Sequence, residues 1–199
     1  MSRLGTQMRR GLHGAAVAAA VAIALLPVAA ASPAAATGQL PEYSVKAAFL
    51  HHFAQFVEWP RRLAAEPPTL TIGVLGDDPF GALLDEAVLG KAVGGRSLVV
   101  RRVARAEEAA RCDILFISTS EAARLPEILA GLGGAPVLTV GEADRFARRG
   151  GMIGFFFEDG RVRLEVNVKA AEAAGLRVSS KLLSVARLVK QGSEEGRAK

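Results

Sequence analysis

The sequence is poor in the residues that most often carry chemistry. Of its 199 residues one is cysteine, Cys112, and three are histidines, of which only His51 and His52 lie beyond the first 36 positions. A lone cysteine excludes an internal disulfide, and with it a small fold held together by cross-links. Its plain reading is a small apolar side chain at the start of a strand. Adjacent histidines on a helix point about 100° apart and do not readily grip one metal ion. H-E-x-x-H, the G-x-S-x-G elbow and the G-x-x-x-x-G-K-[ST] phosphate loop are all missing. Gly73-Val74-Leu75-Gly76 lacks the Rossmann glycine spacing. Nothing in the sequence assembles a nucleophile with its base, so an enzyme is poorly supported, and neither cofactor nor metal is called for.

The first 36 residues contain no aspartate or glutamate. Arg3, Arg9 and Arg10 precede an uncharged Ala/Val/Leu-rich run from Gly14 to Ala31, and Ala29-Ala30-Ala31 or Ala34-Ala35-Ala36 offers a cleavage site. That order is the signature of a secretory signal peptide over residues 1–36. The run is interrupted at Pro27 and ends before Pro33, short for a bilayer span of about 20 residues. The expected location is the periplasm. Because three of the 25 basic residues fall in this segment, the remainder carries 22 against 20 acidic residues. A balance of +2 gives no reason to expect a nucleic-acid partner.

From residue 37 onward the length suits one domain with its own core, expected over 37–189 and followed by a flexible tail, 190–199. A helix is predicted from Glu42 to Val57, opened by Pro41 and closed by Pro60, with Val45, Phe49, Phe53 and Phe56 as its apolar stripe. Apolar runs Thr69–Leu75, Ser97–Val103, Asp113–Ser118 and Pro136–Val140 read as strands, the third buried on both faces. Between them helices are predicted at Phe80–Val88, capped by Asp78, then at 106–110, Ser120–Leu132 and Glu142–Arg148. Asp159-Gly160 between Met152–Phe157 and Val162–Val166 signals a hairpin. Asn167 then caps a helix to Ala174, and Ser179 or Ser180 caps a last one, Lys181 to Val189. The fold class is α/β: three layers, a mostly parallel sheet with helices on both faces, and a C-terminal antiparallel β-hairpin.

In such sheets ligands sit beyond the carboxyl ends of the strands. That rule makes Asp77, Asp78, Ser118 and Thr119, with Asp144 beside them, candidates for a small polar ligand. Trp59, the only tryptophan, stands with Phe56 and Glu58 at the end of the first helix. An aromatic there either anchors a partner or closes the core. Arg161 and Arg163 alternate with apolar residues along the hairpin and are the other partner-binding candidates.

Several stretches together resemble the YfiR family of small periplasmic proteins. They are Val45–Leu50 continuing through Phe53-Ala54-Gln55-Phe56-Val57-Glu58-Trp59-Pro60, Ile72–Gly81, Cys112–Ile117, Pro136–Gly141, Gly150–Ile153, Arg163–Asn167 and Ser179–Leu183. The resemblance runs from about Tyr43 to Val189. It implies a secreted, dimeric, non-catalytic regulator that binds the periplasmic sensor region of an inner-membrane diguanylate cyclase, restrains it, and so holds down cyclic di-GMP and biofilm formation. Relatives with paired cysteines couple folding to redox state; here Cys112 stands alone, which leaves sensing independent of an internal dithiol or dependent on a bridge between chains. A periplasmic small-molecule-binding protein that feeds a sensor or transporter is the alternative.

Overall fold

A computed structural model describes residues 39–60 and 68–189. The expected signal peptide and C-terminal tail lie outside the described residues. The helices are α1 (Gln39–Phe56), α2 (Ala82–Val88), α3 (Ala106–Ala109), α4 (Leu125–Gly131), α5 (Val168–Ala173) and α6 (Ser180–Leu183). The strands are β1 (Val57–Glu58), β2 (Thr69–Leu75), β3 (Ala92–Val93), β4 (Arg96–Val103), β5 (Ile114–Ile117), β6 (Leu138–Gly141), β7 (Ile153–Glu158), β8 (Arg161–Val166), β9 (Arg177–Val178) and β10 (Arg187–Leu188).

Eight strands form one sheet in the order β10-β8-β7-β6-β5-β2-β4-β3. Its centre, β4-β2-β5-β6-β7, is parallel, and the β7–β8 hairpin and β3 add antiparallel pairs. β5 and β6 are buried along their whole length, as continuous apolar runs flanked by helices require. Side chains alternate across β2. Leu70, Ile72 and Val74 face a core completed by α1, α2, α5 and α6, whereas Leu75 joins Leu115, Ile117, Leu125, Ile128 and Phe146 in a second core under α3 and α4. The three layers and the hairpin agree with the expected class. Asp159 and Gly160 both take positive φ, 52° and 69°, as the tight hairpin turn demands.

α1 buries Ala47, Leu50, Phe53 and Ala54 at helical spacing. Of the predicted stripe Phe53 is fully buried and Phe49 and Phe56 are half-buried, but Val45 is 45% exposed. The helix stops where Val57 pairs with Val178 of β9, and the Ser179 N–H donates to the Phe56 carbonyl at 2.8 Å, satisfying one orphan carbonyl of the last turn.

Four predicted helices differ. No helix forms over Glu142–Arg148; the chain makes a run of turns instead. The Phe146 ring lies where a Cβ on Gly141 or Gly151 would stand, 2.4 and 2.1 Å from its nearest ring carbons, and Arg145 takes φ 54°. Burying the ring between two glycines is incompatible with a regular helix there. α2 begins at Ala82, not Phe80, after Gly81 at φ 53°. Asp78 therefore does not cap it: one oxygen accepts from the Phe80 N–H at 2.8 Å and the other from Arg102 at 2.9 Å. The last predicted helix ends at Leu183, and Arg187–Leu188 instead extends the sheet beside β8, held by Val189 N–H on the Val166 carbonyl at 2.9 Å. Thr119–Arg124 is a 3-10 turn, and α4 proper starts at Leu125 with Pro126 in its first turn, where a missing N–H does no harm.

Candidate ligand rim and docking face

The carboxyl ends of β2, β5 and β6 bring the ligand candidates close together, but tie most of them to the protein. The Ser120 hydroxyl accepts the Asp77 N–H at 3.0 Å, and Ser118, buried, donates its N–H to the Leu75 carbonyl at 3.0 Å. A Cβ on Gly76 would lie 2.5 Å from the Ser120 hydroxyl, so this turn needs glycine both for room and for its φ of 88°. Thr119 donates to Glu142 at 3.4 Å. Asp78 turns away to Arg102, which also grips Asp85 at 2.6 Å. That contact holds the Asp85 carboxyl below its ordinary range. Asp77 and Asp144 remain exposed.

The organising group at this rim is Glu142, which sequence reasoning did not single out. It accepts from Tyr43 Oη at 3.1 Å and pairs with Lys46, whose ammonium also meets Glu42. Lys46 is only 5% exposed and lies 4.6 Å from the centre of the Tyr43 ring. Burial, reinforced by the Glu142 charge, pushes the Tyr43 phenol up to about 12. The signal available in the sequence was Glu42 and Lys46 four apart on one helix, with an acid directly after β6. Beside this hub a cleft of about 500 Å³ runs between the Ala143–Arg148 turns and the hairpin, lined by Asp144, Arg148, Phe155, Phe156, Glu165 and Arg187 among others.

The partner-binding candidates divide into two groups. Trp59 is half-buried against the main core, and its indole N–H donates to the Asp113 carbonyl at 3.3 Å, just before β5 begins. Phe56 is half-buried and Glu58 exposed in β1. Arg161 faces Glu158 at the far end of β7. Because β5, β6 and β7 run parallel, the two groups stand at opposite ends of the sheet, roughly 20 Å apart along the strands. One compact docking face cannot use both. Arg161 and Arg163 are exposed and make no hydrogen bond or ion pair among the described residues; Phe157, 60% exposed, pairs with Val162 and so lies on the other face of the hairpin. Their neighbours are paired, Arg148 with Glu165 at 3.0 Å and Arg187 with Glu158 at 2.7 Å.

The lone cysteine is buried, as its reading as a small apolar side chain expects. Cys112 is 2% exposed, and burial, with Asp113 next to it, pushes its thiol up to about 11. A thiol at that value holds almost no thiolate at neutral pH. Among the described residues no cluster of three or more His, Cys, Asp or Glu side chains has the geometry to hold a metal ion, and no helix is long and apolar enough to cross a membrane.

An α/β domain with an internally tied rim and an unpaired basic hairpin has the character of a binding protein. A family profile described as YfiR/HmsC-like matches residues 43–187, and the chain belongs to that family. Its members are periplasmic, non-catalytic regulators that interact with membrane sensor proteins. No curated protein matches the sequence. Among solved structures, an ABC domain from Streptococcus pneumonia in complex with L-Trp is similar at 14% identity, with a TM-score of 0.44, over 60% of this chain and 55% of that one. A conserved domain protein from Vibrio cholerae O1 biovar eltor is similar at 16% identity, with a TM-score of 0.46, over 60% and 54%. The chain thus spans about half the length of each.

Proposed function

We propose that this protein is exported to the periplasm, where as a homodimer it docks on the periplasmic part of a membrane-bound diguanylate cyclase and holds that enzyme inactive. The observation that carries this reading is the family match over residues 43–187, nearly the whole described domain. The hairpin supports it: the guanidinium groups of Arg161 and Arg163, exposed on one face of the hairpin and without an ion-pair partner among the described residues, suit a partner surface that carries carboxylates. Phe56, Glu58 and Trp59 would then belong to a separate contact at the other end of the sheet, such as the one between protomers. A small polar ligand at the rim would meet the exposed Asp77 and Thr119 first, with Asp78 and Ser118 behind them.

Deletion of the gene is expected to raise cellular cyclic di-GMP, and a copy with Arg161→Glu and Arg163→Glu is expected not to restore the low level although it accumulates normally in the periplasm. Unchanged cyclic di-GMP on deletion, or full restoration by the charge-reversed copy, would refute the cyclase and the hairpin respectively.

A further inference from the structure

Of the clefts that border the sheet, two differ in how their charges are satisfied. In the one beside the hairpin, Arg148 and Arg187 are each held by a glutamate. The second, of about 710 Å³, lies at the opposite, amino end of β2, between the open face of β2 and β4 and the α3–β5 connection. Thr69, Thr71, Arg101, Glu108, Arg111 and Cys112 line it. Its carboxylates are used internally: Asp113 accepts from the Thr71 N–H and from Arg96, each at 2.8 Å, and Glu108 pairs with Arg105 at 2.9 Å. Arg102, which also borders the cleft, is held by Asp78 and Asp85.

What remains is mostly basic, although Glu108, whose carboxyl is held below its ordinary range chiefly by Arg105, is near enough to Arg111 for that charge to add to the effect. Arg101 and Arg111 are exposed and make no hydrogen bond or ion pair among the described residues, and the hydroxyls of Thr69 and Thr71 make no hydrogen bond among them either. Thr71 is 8% exposed as a residue, and its hydroxyl keeps solvent access, since among the described residues no fully buried side-chain oxygen or nitrogen lacks a partner. Arg101 is near enough to the Cys112 sulfur for its charge to oppose the rise of that thiol's pKa. Two exposed guanidinium forks without a hydrogen-bonded protein partner and two hydroxyls around a space of small-molecule size are the groups that recognise an oxyanion.

We propose that this cleft binds a small molecule bearing a doubly charged oxyanion of the phosphate type, with Arg101 and Arg111 on its charge and the Thr69 and Thr71 hydroxyls donating to its oxygens. The site is separate from the Asp77–Thr119 rim, which lies past the other end of β2, and it does not depend on the identity of a protein partner.

The test is a titration of the ¹⁵N-labelled protein with inorganic phosphate at fixed ionic strength, with chloride as reference, followed by NMR. Saturable shifts are expected at the amides of Thr69, Thr71, Arg101, Arg111 and Cys112. Replacing both arginines by glutamine should weaken binding by at least about tenfold, since each removes a charge-assisted contact. Both side chains are exposed and unpaired, so the variant should keep the wild-type spectrum elsewhere; if it does not, Arg111→Gln alone and the wild-type shift map decide. Shifts that do not saturate, that gather elsewhere, or that persist with the same affinity in the variant overturn the proposal.

Discussion

The sharpest structural test concerns the Phe146 ring. It is 2% exposed and sits between two glycines, with ring carbons 2.1 Å from an ideal Cβ on Gly151 and 2.4 Å from one on Gly141. Carbon atoms pack at about 3.5–4.0 Å, so Gly151→Ala requires the ring to move by more than 1 Å toward Gly141, which leaves it no room. Overpacking of this kind costs about 1–3 kcal/mol, and the depth of the overlap places this case near about 3. Phe146→Ala removes the ring and costs about 3–5 kcal/mol. In the double variant the clash no longer exists, so its cost should match Phe146→Ala alone and fall short of the sum by about 2–3 kcal/mol. Gly154→Ala serves as control, because nothing lies nearer than 3.4 Å to its added carbon. Urea unfolding followed by circular dichroism measures all four midpoints at constant m. Additive costs, or an equal penalty at Gly154, would show that the ring is not where the turn geometry requires it. The matter reaches the site, because this turn carries Glu142, the anchor of Lys46 and Tyr43.

Three further outcomes follow from single contacts. Tyr43 is the only tyrosine, so the ultraviolet absorbance of tyrosinate reports one group; it should titrate near 12 rather than 10, and Glu142→Gln should move it down. Because the folded phenol is the weaker acid, the unfolded chain loses its proton first, and stability should fall as pH rises from about 10 toward 12; a midpoint at 10 would refute the buried hub. Gly73→Cys places a new Cβ 3.4 Å from Cys112 Cβ, close to disulfide spacing, so the oxidised variant should lose its free thiols and gain up to about 4 kcal/mol, whereas Gly73→Ala, 2.6 Å from the Cys112 sulfur, should lose stability; thiols that stay titratable under oxidant count against the geometry. Trp59→Ala should destabilise by roughly 3 kcal/mol because the indole packs on the core and donates to Asp113; unaltered unfolding with a lost partner would instead make it a docking residue.

The sequence made the sheet legible because its central strands β5 and β6 are short apolar runs buried on both faces. Asp159-Gly160 located the hairpin because few other dipeptides tolerate positive φ twice in succession. The misread elements share one cause: tertiary contacts overrode local propensity. Arg187–Leu188 sits in a segment with helical character but finds an open strand edge on β8, and 142–148 yields to the burial of one phenylalanine. The same applies to the sites. Helix spacing alone set Glu42 and Lys46 together, yet only the fold brings Glu142 and Tyr43 to them across nearly 100 residues of chain. Arg101 and Arg111 were invisible for the complementary reason. What distinguishes them is that the fold sets both at one cleft without an ion-pair partner among the described residues, and sequence carries no record of which charges remain unpaired after folding. Two such groups around a hollow present positive potential that an anion entering the cleft would meet, which is why the cleft, rather than the crowded rim, is where a ligand should be sought.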